Sequence, residues 1–402
     1  MAAVAELLTL EEAQRRVLER TRALPAEVVP VPEAAGRVLA EPARAAVDLP
    51  PFPSSAMDGF ALRAAETPGT LPVSFRIAAG RPSPRSLAAG EAMAVATGGV
   101  VPEGADAVIP LEYVVEHDNH VEVGTQVEVG ANVRPRGGDI RADDVVVPAG
   151  VRLAPAHVGA LAAAGIARVT CARRPRAAVL STGTELQEPG RPLAAGQVYE
   201  ANSQMLAAQL ARVGAEVERL SAVDDDPGSH REALARGLEA DVLVTSGGVS
   251  VGPHDLVRAV GGELGVDEVF WGVAVKPGKP LFFGVRGEKL IFGLPGNPVS
   301  ALVGSELFVL PALLALQGHS DPLPRFEPAT LLRSLRRNPQ RDELVRAVTG
   351  RHGDEITVAP VTGQDSHMIA RAASADALVL VRRGEGELPE GARVERLLLG
   401  RR

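Results

Sequence analysis

Apolar positions recur at helical spacing near the start of the chain, with Leu10, Ala13, Val17, Leu18 and Leu24 on one face. Thr9 and Glu12 have the spacing of a capping box, so a helix is predicted from Thr9 toward Pro25. A Pro-rich passage over 28–53 follows. From 73 to 150 the pattern becomes brief alternating runs cut by glycine (FRIAAG, AMAVATGG, DAVIPLEYVVE, HVEVGTQVEVG), which predict a β-rich module. A second helix is predicted over 155–164, ended by Gly165. The two helices flank the β-rich run. It therefore reads as an insertion, at about 54–140, in an elongated α+β stalk spanning 1–175.

The texture changes at 176. Strands are predicted over 177–183, 216–223 and 241–245, with helices over 202–213 and 228–238 and a third starting near His254. Strands at 269–275, 281–284 and 289–292 and a long helix over 299–316 complete a unit spanning 176–320. Such alternation predicts a largely parallel three-layer α/β domain, whose ligands gather outside the C-terminal strand ends. Beyond the linker HSDPLPRFEP, short β runs and one helical turn near 369–373 predict a small β-barrel over 326–402. The fold class is multidomain α/β, and 402 residues suit several domains at about 150 each.

Composition narrows the function. The chain is 46% hydrophobic and 23% charged, which excludes overall disorder. A formal charge of −8 argues against nucleic acid as a partner, and 3% aromatics leave little for base stacking. The longest apolar stretch, 307–316, contains Pro311 and falls short of the ~20 residues that span a bilayer, so no membrane segment is expected. No basic segment followed by an apolar run opens the chain, and a cytoplasmic location is expected. One cysteine, Cys171, excludes an internal disulfide or a multi-cysteine metal site, and no His-x-x-x-His pair occurs. Only three lysines occur, and two of them, Lys276 and Lys279, frame Pro277 and Gly278. A chain so biased to arginine keeps lysine where a compact ammonium is needed.

Three loops of the α/β unit carry candidate chemistry. VTSGGVSVG contains Ser246, Gly247 and Gly248, whose paired glycines let backbone N–H groups approach an anion. FGLPGNPVSA places Pro295, Asn297 and Pro298 at a stiff corner before a helix. VAVKPGKPL offers Lys276 and Lys279 as an oxyanion clamp. No P-loop or dinucleotide fingerprint occurs here. Glu185 in STGTEL, Asp224, Asp225 and Asp226 in VDDDP, and Asp255 in GPHD would project from the same sheet edge. Acids face a phosphate only through a cation or a proton, so a divalent ion, Mg²⁺, is expected. In the insertion, Asp58, Thr97 and Asp139 occupy Gly-rich loops that composition alone does not mark as catalytic.

The ordered set SAMDGFA, ATGGVVPEGADAV, RGGDI, STGTEL, DDP, TSGGVSVG, KPGKP and GLPGNPVSA resembles the molybdopterin molybdenumtransferase (MoeA) family and is similar to the E domain of gephyrin. The resemblance runs over essentially the whole chain. It implies a homodimer that takes adenylylated molybdopterin and molybdate, releases AMP and requires Mg²⁺, with a molybdopterin adenylyltransferase as a partner. The site would lie between the α/β domain of one subunit and the insertion of the other. Carried over by motif, Asp58, Thr97, Asp139, Glu185, Asp225 and Lys279 would be catalytic, with Glu185 and Asp225 holding metal. Ser246, Gly247, Gly248, Asp255, Lys276, Pro295, Asn297, Pro298, Arg346 and Ser366 would bind substrate. Phe60 and Gly272 depart from the family pattern, where many members have tyrosine and some have lysine. The alternatives are the sibling adenylyltransferase reaction, which would consume ATP without molybdate, and a gephyrin-like scaffold.

Overall fold

The computed structural model describes residues 7–221, 227–248 and 256–400. At its centre lies a six-stranded sheet in the spatial order Glu216–Arg219, Arg176–Ser181, Val242–Ser246, Lys289–Leu294, Phe282–Arg286, Asp267–Trp271. The first four strands are parallel. Phe282–Arg286 alone is reversed, antiparallel to both of its neighbours, because a two-residue turn, Gly287 at φ +60° and Glu288, joins it directly to 289–294. Alternation along the central strand sorts the core into two faces. Ala177 and Val179 pack with the helices Asn202–Arg212 and 298–316, whereas Ala178 and Leu180 pack with Pro227–Gly237 and Leu256–Glu263. Helices on both faces make the predicted three layers.

The first helix, Leu10–Glu19, starts as predicted, with the Thr9 hydroxyl accepting the Glu12 N–H at 3.1 Å. The reciprocal half of the capping box does not form, because the Glu12 carboxylate is taken by Arg15 and Arg16. The helix stops at Glu19, short of Pro25. Its buried face, Leu10, Ala13 and Val17, joins the core of the α/β unit. The second helix, Pro155–Ala163, instead packs through Leu161 with Val29, Leu39, Val147 and Cys171, around strands Ala26–Pro30 and Arg168–Ala172. The two helices thus do not share a core.

A pairing of Ser54–Ser55 with Val133–Arg134 closes the base of the insertion, which carries its own six-stranded sheet. Gly59–Leu62, which begins directly after Asp58, is an inner strand of that sheet. A Cβ on Gly59 would lie 2.0 Å from the Ile109 carbonyl, so this contact admits only glycine. At the other end of the chain, Asp342–His352, Glu355–Pro360, Phe326–Leu331, Arg393–Leu398 and Ala377–Val381 pair in a ring. They form a closed five-stranded barrel that leaves no edge among them.

The long helix passes through Pro311 by way of a π turn at Ser305–Val309. Proline removes the N–H that would bond the carbonyl of Leu307, and the buried side chain of Gln14 donates to that oxygen at 3.0 Å. The continuous 298–316 run is long and apolar enough to span a bilayer, yet 89% of it is buried inside the fold. Here it is a core helix.

Two expectations follow. Gln14→Leu should cost about 1–3 kcal/mol, the penalty for stranding a buried carbonyl, read as a fall in the urea midpoint. Unchanged stability would refute the role. Arg173, at the end of the stalk, grips Asp241 with two bonds of 2.7 Å. Burial pushes the Asp241 carboxyl up, but the Arg173 fork, the Arg176 N–H and the charges of Arg173 and Lys289 outweigh it and hold the pKa low. The tie is at full strength above the ordinary Asp range, about 4, and is lost as pH falls through the lower folded value. Asp241→Asn should therefore lower the melting temperature at neutral pH and flatten its acid-side decline; an acid limb parallel to that of the parent chain would show that this pair carries no pH dependence.

Candidate functional site

The strands 176–181, 242–246 and 289–294 end at one level, with Ser181 opposite Ser246 and Ser246 opposite Leu294. Beyond the strands the backbones stay laced, Thr182 N–H to Ser246 O and Gly247 N–H to Leu294 O, both at 3.0 Å. Gly247 has φ +98°, and a Cβ there would sit 2.6 Å from the Thr182 hydroxyl. Asn202, at the start of its helix, clips two corners together. Its Nδ2 donates to Ser246 Oγ at 2.8 Å and to the Gly296 carbonyl at 2.7 Å. The carbonyl only accepts, which fixes the orientation of the amide. Ser246 passes its own hydrogen to Pro295 O at 3.3 Å.

Two hollows adjoin at this edge. The first, about 590 Å³, is lined by Thr182, Glu185, Asn202, Ser246, Asn297 and Pro298, with Ile369 of the barrel domain. The second, about 510 Å³, is lined by Lys276, Lys279, Pro295, Arg341 and Ser366. Asn297 and His367 line both, so the two form one crevice between the α/β domain and the barrel. The barrel is seated by main-chain contacts. Val275–Lys276 pairs with Asp342–Glu343, and the Val299 N–H donates to Ser366 O at 3.0 Å.

The hollows differ in charge. The first holds carboxylates and hydroxyls. Glu200 is buried and spent on Ser181 and Ser203 at 2.6–2.8 Å, whereas the exposed Glu185 side chain has no hydrogen bond among the described residues. The Thr182 hydroxyl is buried with no partner among the described residues. In the second hollow, Lys276 pairs with Glu343 at 2.7 Å, and Lys279 is exposed with no ion pair among the described residues. Three basic groups, Lys276, Lys279 and Arg341, thus face two acids, Glu343 and Asp365, across it.

The crevice gathers Glu185, Ser246, Asn297 and Pro298 on one side and Lys276, Lys279, Pro295 and Ser366 on the other. Gly247 and Gly248, both at positive φ, shape the corner behind them. Asp225 and Asp255, with Asp224 and Asp226, lie outside the described residues, and among the described residues no group of three or more acids, histidines or cysteines could hold a metal. Asp58 and Thr97 do meet, Asp58 Oδ1 accepting the Thr97 N–H at 2.6 Å, and Asp139 is exposed on a loop bonded to the Leu49 carbonyl. None of these three lines either hollow of the same chain.

Arg346 does not reach the crevice. It is 1% exposed, and its guanidinium donates to the Met368, Gly363 and Asp365 carbonyls and to Gln364 Oε1. It fastens the loop that carries Ser366 and His367 from below, while Arg341, five residues earlier, supplies the basic lining. Asn202, Thr182, Arg341 and His367 were not legible as site residues. Asn202 opens an ordinary helix, and only the packing of the corners brings it to the edge. Phe60 is fully buried in the insertion core. Gly272 has φ +88° and lies against Leu7, so this position supplies no basic group.

Three family models match the chain in succession: the MoeA N-terminal region (domain I and II) over residues 8–165, the "Probable molybdopterin binding domain" over 178–315, and the MoeA C-terminal region (domain IV) over 328–399. The chain is 36% identical over 403 residues to molybdopterin molybdenumtransferase 2 of Mycobacterium tuberculosis, covering 96% of this chain and 98% of that one. It is 35% identical over 400 residues to the molybdopterin molybdenumtransferase of Haemophilus influenzae, with the same coverage. A crystal structure of a molybdopterin biosynthesis MoeA protein from Pyrococcus horikoshii superposes with a TM-score of 0.84 at 28% identity, covering 98% of this chain and 100% of that one.

Because several charge-assisted bonds hold the 363–368 loop, Arg346→Lys should raise its amide hydrogen exchange about tenfold or more. Exchange at parental rates would show that the loop is held by other contacts.

Proposed function

The chain belongs to the MoeA family and is a molybdopterin molybdenumtransferase of molybdenum cofactor biosynthesis, and we propose that it acts on adenylylated molybdopterin, taking molybdate and releasing AMP with Mg²⁺ bound. The observation that supports this reading is the meeting of an acid- and hydroxyl-lined hollow with a basic one at Asn297 and His367. A nucleotide-linked pterin and a tetrahedral oxyanion need such neighbouring surroundings.

The first hollow offers the Glu185 carboxylate and the Thr182 hydroxyl, both without a hydrogen bond among the described residues, oxygen donors that fit a hard cation. Glu185, with Asp225, would hold Mg²⁺, which when bound neutralises charge on phosphate oxygens. The Gly247 and Gly296 corners hold the phosphates against the sheet edge, and hydrolysis of the phosphoanhydride frees AMP. In the second hollow Lys279 has no ion pair among the described residues, and with Lys276, Arg341 and Ser366 it would hold molybdate beside the pterin end. Asp58, Thr97 and Asp139 would reach the crevice of a second copy in a homodimer. The adenylyl group requires a molybdopterin adenylyltransferase upstream, the partner to test in the cytoplasm.

Purified protein should release AMP from adenylylated molybdopterin only when molybdate is present. Lys279→Ala should raise the KM for molybdate about tenfold or more, the loss of a charge-assisted contact, and leave the KM for the pterin nucleotide nearly unchanged. Asp58→Asn and Glu185→Gln should each be inactive, yet mixed and reassembled they should regain roughly a quarter of the parental rate, as a shared two-fold site requires. AMP release that ignores molybdate would overturn the reaction, and mixtures as inactive as their components would overturn the shared site.

A further inference from the structure

Away from the crevice, stalk, core helix, linker and barrel meet around a hollow of about 350 Å³. Arg152 enters it from the stalk, Leu314 from the core helix, His319 and Leu323 from the linker, and Leu397 from the last barrel strand. Two arginines, Arg152 and Arg325, and two acids line it. Of the acids on its wall, Asp321 is taken by Arg325 at 2.7 Å and Glu327 by Arg396 at 2.9 Å. Arg152 has no acid partner among the described residues. Its Nε donates to the Gly36 carbonyl at 3.2 Å and its Nη2 to the Arg212 carbonyl at 2.7 Å, which leaves Nη1 without a hydrogen bond among the described residues.

Arg174 and Arg212 stand close enough to Arg152 that, after burial, their charges help push its pKa down. Arg212 is answered by Glu306 at 2.7 Å, while its Nε is buried without a partner. With both acids on the wall already paired, Arg152 is the cation that faces the hollow without an acid partner among the described residues. His319 adds a neutral donor. Its Nδ1 accepts the Asp321 N–H at 3.0 Å, so the ring proton sits on Nε2. Burial pushes the His319 pKa down; Asp321 opposes this, and the charges of Arg152 and Arg325 reinforce it.

We propose that this junction binds a small amphiphilic anion, a carboxylate or phosphate head on a short aliphatic body. The head meets Arg152 and His319, and the body lies on Leu314, Leu323 and Leu397. At roughly 30 Å³ per water-sized group the hollow takes about ten non-hydrogen atoms. A ligand there touches stalk, α/β domain and barrel at once, so binding stiffens their mutual arrangement and stabilises the whole chain by mass action.

Hexanoate and inorganic phosphate, titrated separately into the full chain by calorimetry and thermal unfolding, test the site. Hexanoate should bind saturably and raise the melting temperature, and phosphate should bind more weakly for want of a body. Arg152→Gln should weaken hexanoate binding about tenfold or more, while Lys279→Ala, altered in the crevice, should bind it as the parent does. His319→Phe keeps the ring volume and removes the Nε2 donor. It should weaken binding severalfold, and it carries the test if Arg152→Gln does not fold. Phosphate binding tighter than hexanoate, with the same dependence on Arg152, upholds the site and assigns a phosphate head. No saturable binding of either anion, equal binding by both junction variants, or loss in Lys279→Ala alone would overturn it.

Discussion

Three parallel strands ending at the same height is the constraint on which the crevice depends. Because Ser181, Ser246 and Leu294 are lateral neighbours, the loops that follow them leave the sheet side by side. Their spacing is then set by backbone contact. The Cα of Gly247 lies 3.7 Å from where a Cβ on Gly296 would stand, and no Cβ fits on Gly247 itself. Corners in such contact hold their amides in place before a ligand arrives, which makes preorganised donors effective. Asn202 and Ser246 add side-chain clips between these two corners.

The basic half of the crevice has a different origin. It exists because the barrel docks on the α/β domain. The two-residue pairing of Val275–Lys276 with Asp342–Glu343 carries the KPGK loop to the barrel, and the same joint brings Arg341 and the Arg346-fastened loop over it. One wall is therefore built within a domain and the other between domains. Their opposite chemistry follows from that division: strand ends supply hydroxyls and acids, and the docked surfaces supply lysine and arginine.

Stability is shared among the domains in the same way. The first helix lies in the core of the α/β domain, and Gln14 repairs the carbonyl that Pro311 strands. From the exposed side of that helix Glu11 reaches Arg382 of the barrel, which also meets Asp342. The barrel, the first helix and the long core helix are thus braced together, although the sequence separation between Glu11 and Arg382 is 371 residues.

Local signals determined much of this architecture directly. Helix periods, glycine stops and β alternation marked the layered domain, the inserted β module and the barrel, because each reflects a preference of a few neighbouring residues. The same signals placed Glu185, Lys279 and the SGG and PGNP corners at one sheet edge, since parallel strands leave little freedom in where their loops emerge. What the sequence could not supply depends on partners hundreds of residues apart. It could not show that the first helix leaves the stalk for another core, that Asp58 opens an inner strand, or that Arg346 lies beneath a loop while Arg341 faces the hollow. Those outcomes are decided by which buried faces and unpaired carbonyls find one another in three dimensions, and no short-range pattern encodes that.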